Sequence, residues 1–285
     1  ISGASAGAMN ATALTHGLGV GGRQGARDAL RAFWHRVAAS AQHNPFSPTL
    51  LERLAGLDDV RLSAGRAWLE AISRSASPYD LNPSGHNPLA DVLADSIDFE
   101  MLRREPPLQL FLSATNVRTG RVGIFGPEEI SLEAVLASAC LPQLFQAVEI
   151  DGEHYWDGGY VSNPPLRPLV ERTNCADILI VQVDPIRIEQ VPTTAQAIRD
   201  RIQVLMFNAG FMHEMDDIAA NGRTRLHLIE AEAELAKLGA ASKLNVGRDF
   251  LERLFVLGRA RTDLFLAERQ ALIGTRSTLD VATRF

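Results

Sequence analysis

Apolar positions recur along this chain at helical spacing in some stretches and run on almost without a break in others, and the switches between the two predict alternating helices and strands. After Gly25, Leu30, Phe33, Trp34, Val37, Ala38 and Ala41 mark one face of an amphipathic helix of about 16 residues, stopped by Asn44-Pro45. A loop broken by Pro78, Pro83, Gly85 and Pro88 follows, and Asn87-Pro88-Leu89 opens a short helix to Asp95. The run 108–115 reads as a buried strand that pairs with 122–125 across Thr119-Gly120. The segment 132–140 reads as a helix of small residues ended by Pro142. Runs 146–150 and 154–156 flank Asp151-Gly152, a hairpin signal.

Further on, 177–184 is nearly all apolar, the pattern expected mid-way in a parallel sheet covered on both faces. Thr194 predicts the cap of a helix whose inward face is Ile198, Ile202, Leu205, Met206 and Ala209. A short strand at 226–230 precedes a last helix from about Arg248 to Ile273, with Phe250, Leu251, Leu254, Phe255, Leu257, Leu264 and Phe265 inward. Strands alternating with helices predict an α/β fold with a mostly parallel sheet between helical layers. No repeat or linker interrupts the 285 residues, so 1–285 reads as one domain, with 210–285 a helical extension.

Composition narrows the function classes. Hydrophobic residues are 46% and charged residues 22%, as in a protein with a packed core. A net charge of −6 argues against a nucleic-acid partner. Two cysteines make no disulfide framework; Cys140, inside an apolar run, reads as a small buried hydrophobe, which fits a reducing compartment. The histidines lack metal-ligand spacing: His35 and His43 are eight apart, and His86 and His154 have no spaced partners.

The chemistry concentrates in two places. Gly3-Ala4-Ser5-Ala6-Gly7 spells G-x-S-x-G, which sets a serine on a tight strand-to-helix turn, with Gly3 and Gly7 giving room for the turn to close. A serine hydroxyl attacks only when a neighbouring base takes its proton. Asp157, in Trp156-Asp157-Gly158-Gly159-Tyr160, comes directly off a strand, and two glycines after it allow a close approach to another segment.

The ordered set of Ser5 in its G-x-S-x-G turn, Asn87-Pro88-Leu89, Ser113-Ala114-Thr115-Asn116, Ala137-Ser138-Ala139-Cys140-Leu141-Pro142 and Asp157-Gly158-Gly159 through Pro165 resembles the patatin-like phospholipase family over about residues 1–210. The resemblance implies a three-layer α/β/α fold and a serine–aspartate dyad. Ser5 is then the nucleophile and Asp157 the base, the Ala6 N–H is an oxyanion donor, and no metal or organic cofactor takes part. The substrate is a lipid ester, phospholipid or lysophospholipid, met at a membrane or micelle surface. A carboxylate serves as base only where burial raises its pKa, and Trp156 and Tyr160 are candidate shields.

The family's glycine-rich oxyanion loop would fall before Ile1. A longer encoded protein is therefore expected, by one strand, one loop and one helix, a few tens of residues. Gly21-Gly22 lies in the wrong order to substitute for that loop. A cytoplasmic or membrane-peripheral location is expected, with secretion left open.

Two alternatives stand beside this reading. One is a lipid-binding or interaction protein on the same fold that has lost catalysis. The other is a Ser-His-Asp triad, for which only His213 and His227 follow Asp157. Candidates for an acyl groove are Phe46, Leu50, Leu51, Leu54, Leu141, Leu144 and Phe145; core packing is the competing reading for these, as for Phe207, Phe211, Met212 and Met215. Arg118 and Arg121 are candidate cations for a lipid phosphate.

Overall fold

A computed structural model describes residues 1–40, 76–238, 242 and 245–284. Strand β2 (Phe111–Asn116) is the spine of a five-stranded sheet. Strand β1 (Ser2–Gly3) runs parallel to it, with Gly3 opposite Leu112. Strand β3 (Val122–Phe125) is antiparallel to β2, from Leu112 opposite Phe125 to Thr115 opposite Val122. Strands β4 (Val148–Ile150) and β5 (Glu153–Asp157) form the hairpin expected at Asp151-Gly152, where both turn residues have positive φ, 52° and 77°, as a tight two-residue turn requires. β5 lies antiparallel to β2 with Asp157 opposite Ala114. Strands β6 (Asp177–Gln182) and β7 (Arg225–Glu230) pair in parallel as a second sheet.

These registers dictate one feature of the site. Leu112 faces both Gly3 and Phe125, and Ala114 faces both Gly123 and Asp157. A strand has two edges, so β3 takes one and β1 and β5 share the other, meeting head to head. Gly3 and Asp157 stand two residues apart along β2, roughly 7 Å at the rise of a strand.

Helix α1 (Ala6–Ser40) starts directly after the Ser5 turn. It is broken at Gly21 (φ −147°, ψ 27°) and Gly22 (φ 58°, ψ −148°), the latter a conformation that favours glycine. The two arms then cross closely: a Cβ on Gly17 would sit 2.4 Å from the Gly25 oxygen. Trp34 of the second arm donates its indole N–H to Asn10 of the first at 2.8 Å.

Short helices follow: α2 (Pro78–Leu81), α3 (Pro88–Ser96, capped by Asn87) and α4 (Phe99–Arg104). Helix α5 (Leu132–Ser138), capped by Ser131, packs on β2, β4 and β5. Then come α6 (Arg167–Glu171), α7 (Ala195–Asn221), α8 (Glu232–Leu235), α9 (Arg248–Arg269) and α10 (Val281–Arg284). One core joins Ala8, Met9, Phe33, Leu93, Leu112 and Val135; a second joins Ile178, Ile180, Phe211, Met215, Leu226 and Leu228. Among the described residues no helix is long and apolar enough to cross a membrane.

The α/β class follows the sequence pattern, but the sheet is mixed rather than mostly parallel: among the described strands β1–β2 and β6–β7 pair in parallel, while β2–β3, β2–β5 and β4–β5 pair antiparallel, as the short turns joining β2 to β3 and β4 to β5 require. Two further expectations fail, and a third holds only in part. Strand β6 is not covered on both faces: Ile178 and Ile180 are buried, but Leu179 is 45% and Val181 67% exposed. Helix α7, capped by Thr194 as expected, turns the opposite face inward. Phe207, Phe211, Met215 and Ile218 are buried, while Ile198, Ile202, Leu205, Met206 and Ala209 are exposed. Both stripes recur at helical spacing, so periodicity alone does not choose between them. On α9, Phe250 and Phe265 are buried as expected, but Phe255 and Leu264 are exposed. The Asn44-Pro45 stop lies outside the described residues.

Candidate active site

Ser5 occupies the turn between β1 and α1 with φ 54°, in the left-handed region. A non-glycine residue there costs roughly 1–3 kcal/mol and persists only where its surroundings enforce it. Gly3 is one enforcing element, since a Cβ on it would lie 2.5 Å from the Gly7 carbonyl. At Gly7 an added Cβ meets no heavy atom within 4 Å among the described residues, so the expected need for glycine holds at Gly3 but not at Gly7. Ala6 and Gly7 are exposed and Ser5 is half-buried, which leaves the serine open on the side of the first turn of α1. The Ala6 N–H, first in the helix, belongs to the donors that a helix start leaves without an intrahelical partner.

The second enforcing element is the end of α5. The Ser5 N–H donates to the Ser138 carbonyl at 3.0 Å and to the Ser138 hydroxyl at 3.2 Å. Two residues on, the Cys140 carbonyl accepts from the Asp157 N–H at 2.8 Å. One turn of chain thus holds both the serine and the aspartate.

Asp157 is the last residue of β5 and is fully buried. Its Oδ1 accepts from the Gly159 N–H at 2.7 Å, and its carbonyl accepts from the Thr115 hydroxyl at 2.8 Å. The glycines after it are required by contact. A Cβ on Gly158 would lie 2.2 Å from the Ser113 carbonyl oxygen, and one on Gly159 2.4 Å from the Phe207 ring. Gly210 of α7 meets the same loop, where a Cβ would lie 1.9 Å from the Val161 oxygen. Farther along, the Glu214 carboxylate accepts from the Ser162 hydroxyl (2.6 Å) and from the N–H groups of Leu166 (2.7 Å) and Arg167 (2.9 Å).

Around this junction, burial pushes the Cys140 thiol up to about 12, and a backbone hydrogen bond from Val148 opposes the shift. Burial also raises the Tyr160 phenol, against its hydrogen bond to Gln143; the charge of Asp157 adds to the rise. The Tyr160 ring packs on Phe207 at 4.7 Å between centroids. Tyr160 thus stands beside the aspartate, whereas Trp156, one residue before it in the strand, points to the other face.

The remaining candidates fall elsewhere. Both ring nitrogens of the buried His227 are engaged, Nε2 with Asp177 at 3.0 Å and Nδ1 with Thr278 at 3.0 Å. His213 is exposed on α7. Arg118 pairs with Glu153 rather than standing free for a phosphate, and Arg121 is exposed. Leu141, Leu144 and Phe145 are half-buried in the turn after α5. Phe207, Phe211 and Met215 are core residues. His43, Phe46, Leu50, Leu51 and Leu54 lie outside the described residues. His35 binds Glu252 at 2.8 Å. Among the described residues no three His, Cys, Asp or Glu side chains cluster as metal ligands would. An open cleft of about 400 Å³ between the arms of α1 and α3 is lined by His16, Phe33 and Arg36; neither Ser5 nor Asp157 borders it.

Sequence reasoning missed Ser138, Thr115 and Glu214 as supports. Ser138 had a signal: it is the polar position in an otherwise apolar run of small residues, and a buried hydroxyl needs a partner. Glu214 had none, since its partners lie about 50 residues away.

No curated protein matches the chain. The model of the family described as patatin-like phospholipase matches residues 1–170, more than half of its length, and takes in β1, the Ser5 turn, α5 and the Asp157 loop. The chain therefore belongs to the patatin-like phospholipase family.

Proposed function

We propose that this protein is a serine hydrolase of lipid carboxylic esters, phospholipid or lysophospholipid, working through a Ser5–Asp157 dyad. The observation that carries the reading is the meeting of β1 and β5 on one edge of β2, with Ser5 and Asp157 both tied to the C-terminal end of α5 and the two residues that follow it. Membership of a family of lipid acyl hydrolases supplies the reaction class.

In this mechanism the Ser5 hydroxyl attacks the ester carbonyl while the Asp157 carboxylate takes its proton. Charge on the carbonyl oxygen develops beside the N-terminus of α1, where the Ala6 N–H and the helix dipole favour it. The proton then passes to the departing alcohol, leaving an acyl-Ser5. Asp157 next draws a proton from water as that water attacks the acyl carbonyl, then returns the proton to the departing Ser5 oxygen, which frees the fatty acid and restores both serine and carboxylate. The Gly159 N–H fixes one carboxylate oxygen, which holds the base in a single orientation through both half-reactions.

The test is hydrolysis of p-nitrophenyl butyrate and of phosphatidylcholine vesicles by the full chain, by Ser5→Ala and by Asp157→Asn. Each variant is expected to lose about 10³-fold or more in kcat while keeping its fold. Turnover that survives Ser5→Ala overturns the reading. Vesicle binding without any turnover favours a lipid-binding protein on the same fold. Loss of turnover on replacing His213 or His227 in folded protein favours the triad.

A further inference from the structure

We propose that Ser138 is a positioning residue for the reaction, acting through the backbone amide of Ser5. The inference rests on the dyad reading above and concerns a residue that touches neither the ester nor the transferred proton.

Ser5 is held at φ 54°, which the chain does not adopt unaided. Its N–H is shared between two acceptors of one residue, the carbonyl (3.0 Å) and the hydroxyl (3.2 Å) of Ser138. The carbonyl is one of those a helix end leaves without an intrahelical partner, so any residue at position 138 supplies it. The hydroxyl is the part that depends on the side chain. It lies in a fully buried position between Ala137 and Ala139, where alanine would fit at no cost in shape. This hydroxyl accepts from the Ser5 amide.

The double acceptor has two effects. It fixes the plane of the Ala4–Ser5 peptide, whose N–H points inward to Ser138, and with Ser5 at φ 54° leaves the Ala6 N–H at the exposed start of α1. It also ties Ser5 to the residue two before Cys140, whose carbonyl holds the Asp157 amide at 2.8 Å. The spacing between nucleophile and base is then set by three consecutive residues of one buried turn. Loss of the hydroxyl leaves a single, more pivotable hydrogen bond at a strained residue. A misplacement of about 1 Å at such a site costs on the order of 10²-fold in rate.

The experiment compares Ser138→Ala and Ser138→Thr with the natural protein on p-nitrophenyl butyrate. Active sites are counted by reaction with a fluorophosphonate, so that kcat is expressed per competent site. For Ser138→Ala the expected result is a fall in kcat per site of about 10- to 100-fold, with KM changed less than about twofold. Ser138→Thr keeps the hydroxyl and is expected to recover most of that loss. A purely structural role lowers the thermal midpoint and the number of competent sites but leaves kcat per site alone, and that result overturns the proposal. So does a loss carried by KM, or a folded Ser138→Thr protein as slow as Ser138→Ala. If the alanine protein does not fold, Ser138→Cys, close in shape and a weaker acceptor, takes its place under the same expectation. Natural protein whose turnover does not depend on Ser5 removes the dyad reading itself; Ser5-dependent turnover unaffected by Ser138→Ala removes this inference alone.

Discussion

A side chain on Gly3 collides with Gly7: an added Cβ stands 2.5 Å from the Gly7 carbonyl carbon and oxygen, both backbone atoms with nowhere to retreat. The converse contact does not exist, since a Cβ on Gly7 meets nothing within 4 Å among the described residues. The two motif glycines are therefore unequal. Gly3→Ala is expected to cost 1–3 kcal/mol or more through overpacking. Gly7→Ala, in the first turn of a helix, is expected to leave stability unchanged or raise it by up to about 1 kcal/mol. Urea unfolding of both variants checks the pair, and equal destabilisation would contradict it.

The loop after Asp157 makes a sharper case. At Gly158 an added Cβ would lie 2.2 Å from the Ser113 carbonyl oxygen and 2.6 Å from its hydroxyl, whose own hydrogen bond runs to Ser162. Gly158→Ala is expected to push the loop off β2, lowering the thermal midpoint by several degrees and abolishing ester hydrolysis. A folded, fully active Gly158→Ala protein would show that the loop does not pass this close to β2.

Cysteine labelling separates the two thiols. Cys140 is buried and raised to about 12, so almost none of it is thiolate at pH 8. Cys175 is exposed. Iodoacetamide on native protein is expected to modify Cys175 and spare Cys140, with both reacting after unfolding in urea. Peptide mass spectrometry reads the outcome, and comparable native rates at the two sites would refute it.

Asp177 ties the second sheet together. Its carboxylate accepts from Arg225 (2.9 and 2.8 Å), from His227 (3.0 Å) and from the Gly274 N–H (2.8 Å). The Arg225 guanidinium, then His227 and the Gly274 amide, hold this carboxyl well below the usual carboxylate range. A folded-state value below the unfolded one gives stability that is present above about pH 4 and lost as pH falls through the lower folded value. Asp177→Asn is thus expected to lower the urea midpoint at pH 7 and to differ progressively less from the natural protein below about pH 3. A gap of constant size across that range would sink the assignment.

How far the sequence reveals the molecule depends on what kind of signal each part leaves. The β4–β5 hairpin and the caps at Asn87 and Thr194 were legible because turn and cap chemistry is local. The Ser5 turn and the Asp157 loop were legible because Gly3, Gly158 and Gly159 sit at close approaches, although Gly7 does not. The inward face of α7 was not, because Ile198, Ile202 and Leu205 recur at helical spacing just as Phe207, Phe211 and Met215 do, and only tertiary packing decides between them. Strand β6 misled for a related reason: an apolar run says that a strand is greasy, not that two layers cover it. Ser138 and Glu214 escaped because their partners are distant in the chain.

Glu214 sits 44 positions past the end of the family match and neutralises three donors in the stretch that leads out of the Asp157 loop. A fragment cut at residue 170 would contain every motif that identifies the family and still strand those donors, along with the seats provided by Phe207 and Gly210. The recognisable part of this protein thus leans on the rest; transplanting the motif-bearing half alone would carry Ser5 and Asp157 without contacts that hold the loop after Asp157 in place.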